Sequence, residues 1–477
     1  MIMTFWNTLP PGPSGFSQFE LRQPPCTLQT ALPVSASRRP RLRSLSAGLI
    51  SILSLAGAAT WSCDTLAAKV YVVNCADSGS GSLRNAVAAA NEGDTVVLGG
   101  NLPCSTISLT SGAISVTRNT LYLSGPGADV LAISGGNHYG VLRHSGNGRL
   151  GISALTIRDG KYISANLPRG GCVYSAANVT LVDSVIANCA VEGTSNAMAR
   201  GGGIYAHGTI GMQNSTITGN VAAGTAGSAR GGGVYVTGTI VARNSIFTDN
   251  EAATTANYFS EGGALWTRGN TYIGSSLISG NRAAVAAAIG TESALGGTSL
   301  GIVNSTISSN VASFRFSGVC TKVPTTLSNS TIAFNESPDG GALYSVGAAL
   351  TLQSSIIADN VTAGMQNDLD GANSPPVSGY KNLITSSTIG FPADTITTCP
   401  KLGPLAANGG GAMLTHALSS NSPAVDAGYV TNGLQTDQRG PGFPRAAGSK
   451  ADIGAFERQA AGDDRIAVAG FEPVCDH

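Results

Sequence analysis

Charge is scarce in this chain of 477 residues. Asp, Glu, Lys and Arg make up 11% of it, well below the roughly 25% usual in globular proteins, and the formal net charge is zero. A neutral chain lacks the basic surface that nucleic-acid binding needs, so we expect no nucleic-acid partner. The five histidines are scattered and none of the nine cysteines forms a Cys-x-x-Cys pair. The sequence therefore predicts no metal site and no cofactor.

Helical periodicity is also missing from most of the chain. Instead, the chain contains a repeated segment, RGGGIYAHGTIGMQNSTITGN at 200–220 and RGGGVYVTGTIVARNSIFTDN at 230–250. A fixed period of this length marks a repeat architecture. Units related to N-S-T-I recur along 154–357, and a coil of three short strands with turns fits their spacing. We therefore predict about twelve stacked coils.

An asparagine follows the start of each of the last six units at the same distance. These residues are Asn220, Asn250, Asn281, Asn310, Asn335 and Asn360. We expect them to occupy turns, to tolerate left-handed backbone and to bond amide to amide in a ladder between coils. The extra residues of the longer copies should lie in one loop before each glycine run, for example at 190–199 and 221–229.

Residues 1–68 form a different kind of segment. Four arginines between positions 38 and 43 precede the uncharged apolar run Leu45–Trp61, which is short for a membrane span and typical of a secretory signal peptide. Cleavage would fall before Lys69, and we expect no membrane span in the mature chain. The residues ahead of the arginines are atypical of a signal, which indicates an over-extended start.

Export makes disulfides the default state of the remaining cysteines. We predict a Cys75–Cys104 disulfide between flanking strands of the first coil, and a second disulfide between Cys172 and Cys189. Cys475 is then a candidate free thiol.

The two ends of the array predict closing elements. Residues 82–91 place Leu83, Ala86 and Val87 on one helical face, which predicts a short N-terminal capping helix. The repeats run through 69–366, and 367–457 holds the last coils and a closing segment whose charged residues we expect to seal the C-terminal end through ion pairs. Residues 458–477 form a tail.

Two segments resemble known domains of secreted bacterial proteins. ADSGSGSLRNAVAAANEGDTVVL at 76–98 resembles the N-terminal unit of CSLREA-type β-helix proteins, with Ser82 where the name-giving cysteine stands. SPAVDAG, TDQRG and RAAGSKADIGAFE within 422–457 closely resemble the choice-of-anchor Q domain. GGAL at 262–265 is similar to the repeats of polymorphic outer-membrane adhesins, although their barrel is missing.

These resemblances imply an all-β fold, a right-handed single-stranded parallel β-helix of the pectate-lyase-like type with a short N-terminal capping helix. They also imply export by a Gram-negative bacterium, to the medium or to the cell surface. They imply no established activity.

Strand alternation suggests a binding surface. Since Ile204, Val234 and Leu265 should point inward, the residue after each should point outward. The outward residues and the arginines that precede the glycine runs give seven candidate ligand-binding residues: Arg169, Tyr174, Arg200, Tyr205, Arg230, Tyr235 and Trp266. Aromatic rings stack on sugars and guanidiniums bind carboxylates, so an acidic polysaccharide or a cell-surface glycan fits this pattern. The alternative is that the rings only stabilise adjacent coils.

The binding hypothesis makes a prediction about the rings. Replacing Tyr235 and Trp266 by alanine should abolish glycan retention and leave the melting temperature little changed.

Catalytic motifs fail on their context. Gly297–Gly301 matches G-x-S-x-G but lies where a strand begins, Gly146–Gly151 matches G-x-G-x-x-G but precedes a strand, and Asp368–Asn373 is half of a calcium loop. The acids of the array, Asp183, Asp249, Glu251, Glu261 and Asp359, are spread among turns in solvent.

We therefore predict a monomeric exported protein that mediates adhesion or polysaccharide binding, with no catalytic residues assigned. A polysaccharide lyase or glycoside hydrolase acting on acidic glycans is the alternative, and a purely structural surface spacer is the second alternative.

Overall fold

The computed structural model describes residues 67–459 except 256–258 and 293–295. The chain divides into two units, Met1–Ala67 and Ala68–His477, and only the second is described below. The predicted signal segment, Cys475 and most of the predicted tail lie outside the described residues.

Four sheets run along the second unit, and the regular coils from about residue 142 onward contribute to all of them in turn. In one coil the chain passes through Ile204–Ala206 in sheet I, Ile210–Gln213 in sheet II, Thr216–Thr218 in sheet III and Val221–Gly224 in sheet IV. Neighbouring coils pair in parallel, with Ile204 beside Val234 and Ile217 beside Phe247. The molecule is therefore a parallel β-solenoid, as predicted.

Sheets I and II hold the first two strands of each regular coil. Sheet I comprises Ile114–Val116, Leu142–His144, Val173–Ser175, Ile204–Ala206, Val234–Val236, Leu265–Thr267, Ile289–Thr291, Val319–Thr321, Leu343–Val346 and Leu369–Ala372. Sheet II comprises Lys69–Val72, Thr95–Leu98, Leu121–Ser124, Arg149–Ser153, Asn178–Val182, Ile210–Gln213, Ile240–Arg243, Thr271–Gly274, Leu300–Val303, Thr325–Ser328, Leu350–Gln353 and Ser378–Tyr380.

Sheets III and IV complete the coils. Sheet III comprises Thr106–Ser108, Ala132–Ser134, Thr156–Arg158, Val185–Ala187, Thr216–Thr218, Ile246–Thr248, Leu277–Ser279, Thr306–Ser308, Thr331–Ala333, Ile356–Ala358 and Leu383–Ile384. Sheet IV comprises Lys161–Ser164, Ala190–Gly193, Ala199–Arg200, Val221–Gly224, Ala229–Arg230, Glu251–Thr254, Ser260–Glu261, Arg282–Val285, Val311–Arg315, Glu336–Ser337, Val361–Thr362 and Met365–Gln366. Leu402–Ala406 and Thr415–Leu418 form a separate antiparallel pair.

The sequence predicted three strands in each coil, but the regular coils also contribute strands to sheet IV. The segments 190–199 and 221–229, predicted as loops, contain strands on both sides of a turn, and these strands pair with the next coil. Small buried side chains between them form a second core that includes Val191, Ala222 and Ala229. Residues of low volume allow the chain to fold back closely here, which the repeat spacing alone did not reveal.

The main core and the N-terminal end agree with the predictions. The helix Leu83–Ala89 begins at Ser82, whose hydroxyl accepts from the backbone N–H of Asn85, and it buries Leu83, Ala86 and Val87 against the first coils. Both predicted disulfides are present, Cys75–Cys104 and Cys172–Cys189. Cys320 is a buried free thiol, and burial raises its pKa to about 12.

The predicted asparagine ladder is continuous. Asn220 donates from Nδ2 to Oδ1 of Asn250 at 2.9 Å, and the same bond repeats down to Asn335 and Asn360 at 2.8 Å. All six amides are fully buried. The left-handed backbone falls elsewhere, on the residue before each rung, such as Asp249 and Asp359, and on the residue that starts each N-S-T-I unit, such as Asn214.

The closing segment, residues 422–457, lies against the outer face of sheet III. The backbone N–H of Ala455 donates to Thr331 Oγ1 at 3.0 Å, and Asn304 Nδ2 donates to the carbonyl of Thr436 at 3.3 Å. We expected this segment over the C-terminal end, but these contacts place it along the side of the last coils. Ile389 and Phe391 instead pack against the main core at that end.

Candidate functional site: a column of arginines beside stacked aromatic rings

The predicted aromatic residues form one continuous stack, called here the aromatic column (Tyr174, Tyr205, Tyr235 and Trp266). Their strands pair in register in sheet I, so the rings fall one above the other. Ring centroids are 5.6, 5.3 and 4.7 Å apart along the column, and adjacent planes differ by 8 to 13°. Such offset stacks add to the stability gained from burial.

The expectation that these rings face solvent is wrong for three of them. Tyr205, Tyr235 and Trp266 are only 3%, 4% and 2% exposed, and Tyr174 is half-buried. Burial raises the pKa of Tyr205 and of Tyr235 despite the nearby arginines. Their faces are occupied by neighbouring rings and guanidiniums, so these three rings lack an open surface for a sugar.

The predicted arginines form a second column, called here the arginine column (Arg169, Arg200 and Arg230). Arg169 and Arg200 pair across a parallel bridge, and Arg200 pairs with Arg230 in sheet IV. Each guanidinium lies over the ring of the following coil, with Cζ 5.0 Å from the centroid of Tyr205, 5.5 Å from Tyr235 and 4.6 Å from Trp266. The structure thus brings all seven predicted residues together.

Among the described residues, negative charge lies at one end of the arginine column. Arg230 forms an ion pair of 2.8 Å with Glu261, and Glu292 lies 3.8 Å from Arg230 and 3.4 Å from Arg268. Trp266 Nε1 also donates to Glu261 at 3.2 Å. Arg169 and Arg200 form no ion pair with any described residue.

The two unpaired arginines are also short of hydrogen bonds. The Nε atoms of Arg169 and Arg200 are buried and have no partner within the described ranges. Both side chains are half-buried overall, so the guanidiniums keep some access to solvent. The column therefore presents cations that can bind a row of anions.

Sequence reasoning missed Arg143, which extends this face by one coil. Arg143 pairs in register with Tyr174, so it occupies the ring position of the preceding coil. Its guanidinium lies 3.5 Å from the ring centroid of Tyr162, and it donates to the carbonyls of Arg169 and Gly170. Burial lowers the pKa of Arg143. Extending the alternation from Val173 back to Leu142 would have identified it.

Five of the seven charged residues of the closing segment are buried, namely Asp437, Arg439, Arg445, Asp452 and Glu457. Arg439 donates to Oδ2 of Asp437 from Nη2 at 2.7 Å and from Nε at 3.0 Å, and its Cζ lies 3.9 and 4.0 Å from the rings of Phe443 and Phe456. Arg439 and Asp437 side chains are 1% and 0% exposed. Ion pairing was predicted here, and its burial leaves these groups without access to a substrate.

Asp359 differs from the prediction of a solvated turn. Asp359 is 3% exposed and neither carboxylate oxygen has a hydrogen-bond partner in the described part of the chain. Burial, with repulsion from Asp368, raises the pKa of Asp359 to about 7. Burial also raises the pKa of Asp368 to about 6, although that carboxylate accepts hydrogen bonds from Asn360, Thr385 and Ser386.

No helix among the described residues has the length and hydrophobicity of a membrane span. Within the same ranges, no three His, Cys, Asp or Glu side chains are grouped so that they could hold a metal ion.

Comparison with known proteins does not assign the chain to a family, so its class is defined by its own strand pairing. No family model matches the chain, and neither does any curated protein. A solved structure described as the crystal structure of pectate lyase Pel9A is similar, with 13% sequence identity, a TM-score of 0.39 and coverage of 82% of this chain and 96% of that chain. The protein is a parallel β-solenoid, and the resemblances of 76–98 and 422–457 to named domains stay predictions.

Proposed function

We propose that this protein is an exported, extracellular or cell-surface attachment protein that binds an acidic polysaccharide without cleaving it, and that the arginine column holds the carboxylates of the polymer. The observation that supports this proposal is the pairing of Arg169 with Arg200 in register, half-buried and without ion-pair partners among the described residues. Strands pair ~4.8 Å apart, so the two cations repel each other unless an anion lies between them.

An acidic polysaccharide supplies regularly spaced carboxylates, which suits a column that repeats once per coil. Guanidiniums bind carboxylates through paired N–H donors, and these charge-assisted hydrogen bonds are the strong ones. The rings of Tyr205 and Tyr235 then act differently from the prediction. They hold the guanidiniums of Arg169 and Arg200 by cation–π contact and leave sugar stacking to other surfaces.

The sequence resemblances support export. The segments 76–98 and 422–457 resemble domains of secreted bacterial proteins, and the apolar run within 45–61 has the pattern of a signal peptide. The two disulfides also fit an oxidising compartment. A location outside the cytoplasm of a Gram-negative bacterium, with a host or cell-surface glycan as ligand, is part of this proposal.

The test is retention on immobilised alginate and polygalacturonate. We expect the wild-type protein to bind and the double variant Arg169→Gln/Arg200→Gln to bind at least about tenfold more weakly, since each charged hydrogen bond contributes about 1.5–3 kcal/mol. Retention should also fall as salt is raised, because half-exposed charges are screened. The matched control is Arg243→Gln/Arg282→Gln, which removes two exposed arginines outside the column.

Three results would contradict the proposal. Equal loss of binding in both double variants would show a dependence on net charge alone. Release of unsaturated uronates, detected by ultraviolet absorbance with calcium present, would favour a lyase. Failure of a folded wild-type protein to bind any acidic polymer would favour a structural spacer.

A further inference from the structure

The closing segment binds the solenoid through asparagine side chains at one corner. Asn329 donates from Nδ2 to the carbonyl of Tyr429 at 2.7 Å, and its Oδ1 accepts from the backbone N–H of Thr431 at 3.0 Å. One amide therefore pairs with a carbonyl and with the N–H two residues further on, much as a neighbouring strand would. Asn304 makes a single bond of the same kind to Thr436.

The same corner continues through the middle coils with the same backbone. Asn214 and Asn244 occupy the repeat position of Asn304 and Asn329, and their φ angles of 49 and 48° match the 53 and 44° of the bound pair. Asn304 and Asn329 are 1% and 0% exposed, whereas Asn214 and Asn244 are exposed. Asn214 and Asn244 therefore have the same backbone conformation as Asn304 and Asn329, whose side-chain amides bind the backbone of the closing segment.

The adjoining face of sheet III shows the same contrast. Thr306 and Thr331 are buried beneath the closing segment. Their register equivalents Val185, Thr216 and Ile246 are only half-buried. All three side chains of this open stretch are β-branched and two of them, Val185 and Ile246, are apolar, so covering it would stabilise a complex.

The bonds along the corner leave one amide oxygen open. Asn214 is bonded on both sides, since its Nδ2 donates to Asp183 Oδ1 at 3.0 Å, whereas Asn244 is bonded on one side. Asn244 Nδ2 donates to Asn214 Oδ1 at 3.4 Å, and Asn244 Oδ1 accepts no hydrogen bond from any described residue. Asn304 shows that both kinds of bond can coexist, since its Nδ2 donates to Ser275 as well as to Thr436.

A groove lies at the far end of this face. It has a volume of about 490 Å³ and lies between the loop around Gly127–Asp129 and the corner residues Ala154, Asp183 and Asn214. The closing segment bounds the face at one end and this groove lies at the other.

We propose that the open corner, defined by Asn214 and Asn244 with Val185, Thr216 and Ile246, binds an extended segment of a partner polypeptide. Continuity with the closing-segment interface favours a polypeptide over a polysaccharide. The amide pairs with a carbonyl and an N–H two residues apart, and this pattern belongs to a peptide backbone. The proposal is independent of the arginine column.

The probe is a fluorescein-labelled peptide of residues 427–438, the sequence that docks on Asn304 and Asn329. We expect it to bind the intact protein in fluorescence anisotropy, and we expect Asn214→Gly/Asn244→Gly to weaken binding about tenfold, as for the loss of two hydrogen bonds. Glycine suits the left-handed backbone at both positions, so the amides are removed without strain. The matched control is Asn137→Gly/Asn373→Gly, which alters two exposed left-handed asparagines elsewhere.

Several outcomes would overturn the proposal. These are no binding to the wild-type protein, unchanged binding in the Asn214→Gly/Asn244→Gly variant, and an equal loss in the control. If that variant lost alginate retention while still binding the peptide, the corner would be a polysaccharide site instead.

Discussion

Asn360 donates a hydrogen bond from Nδ2 to Oδ1 of Asp368 at 2.9 Å. Every earlier rung of the asparagine ladder has an amide oxygen as its acceptor, so a carboxylate ends the series. The backbone N–H of Asn360 donates to the same oxygen at 3.1 Å. Asp368 Oδ1 therefore accepts the same two hydrogen bonds as the amide oxygens of the ladder, whereas Asp359, next to Asn360 in the chain, is buried with no hydrogen bond to either of its oxygens in the described structure.

The two buried carboxyl groups, Asp359 and Asp368, make the stability of the fold depend on pH. The pKa of Asp359 is raised to about 7 by burial and by Asp368, above the value of about 3.9 for an unfolded chain. The folded state then binds the proton more tightly, so its contribution to stability is present in acid and is lost as pH rises from about 4 through 7. We expect Asp359→Asn to raise the free energy of unfolding at pH 8 by an amount on the order of 2 kcal/mol, and with it the melting temperature, and we expect this gain to shrink towards pH 5.

The comparison of variant with wild type isolates this effect. Burial lowers the pKa of His416 to about 4, so the contribution of that residue falls as pH drops from about 6.5 to 4, equally in both proteins. Asp249→Asn is the matched control, because Asp249 is exposed at the same repeat position. A pH-independent gain in Asp359→Asn, measured by thermal denaturation from pH 4 to 8, would contradict this account.

The ladder should be a major source of stability. Asn281 accepts from the N–H and Nδ2 of Asn250 and donates to the carbonyl of Phe247, at 3.0 Å each, and to Asn310 at 2.9 Å. Asn281→Ala leaves several of these buried groups unpaired at about 1–3 kcal/mol each, so we expect the free energy of unfolding to fall by about 4 kcal/mol. Chemical denaturation measures the loss. Asn244→Gly, at an exposed corner, should cost under about 1 kcal/mol, and equal losses would refute the role of the ladder.

The aromatic column should stabilise the fold, contrary to the sequence-based expectation of an unchanged melting temperature. Trp266 is 2% exposed and stacks 4.7 Å from Tyr235 beneath Arg230. We expect Trp266→Ala to lower the free energy of unfolding by about 3–5 kcal/mol, since a large ring leaves a cavity. Phe259→Ala removes a ring that is 59% exposed and should cost far less in the same denaturation series. Near-identical stability of Trp266→Ala and wild type would show that the column is dispensable.

The features predicted from sequence are those that repeat. The repeat offset between Arg200 and Arg230 predicts the length of one coil, and the alternation of side chains correctly predicts that Ile204 and Val234 lie in the core. The ladder and the grouping of the seven candidate residues followed from the same repeat. Alternation distinguishes the core side of a strand from the other side, but it cannot tell whether a second layer covers that other side. The burial of Tyr235 beneath Arg200 is therefore a tertiary effect.

The position of the closing segment could not be predicted from the sequence, for a similar reason. Its charged residues predicted ion pairs, which Arg439 and Asp437 form, but nothing in their pattern identified Thr331 or Asn329 as the surface they cover. Asp359 is buried, contrary to the prediction of a solvated turn, although it shares a repeat position with the exposed Asp249. Equivalent positions in a repeat have equivalent backbones, but they need not have equivalent surroundings.

The in-register ladder has a consequence for how such a chain can change in length. Residue Asn250 finds the same partners above and below as Asn281 does, since each rung bonds to one rung of the same kind. After excision or duplication of a whole coil, such as 221–250, each ladder asparagine would again lie next to an asparagine of the neighbouring coil. The cross-section and the reach of the molecule can therefore vary independently, and gain or loss of coils would alter how far its surfaces extend without redesigning them.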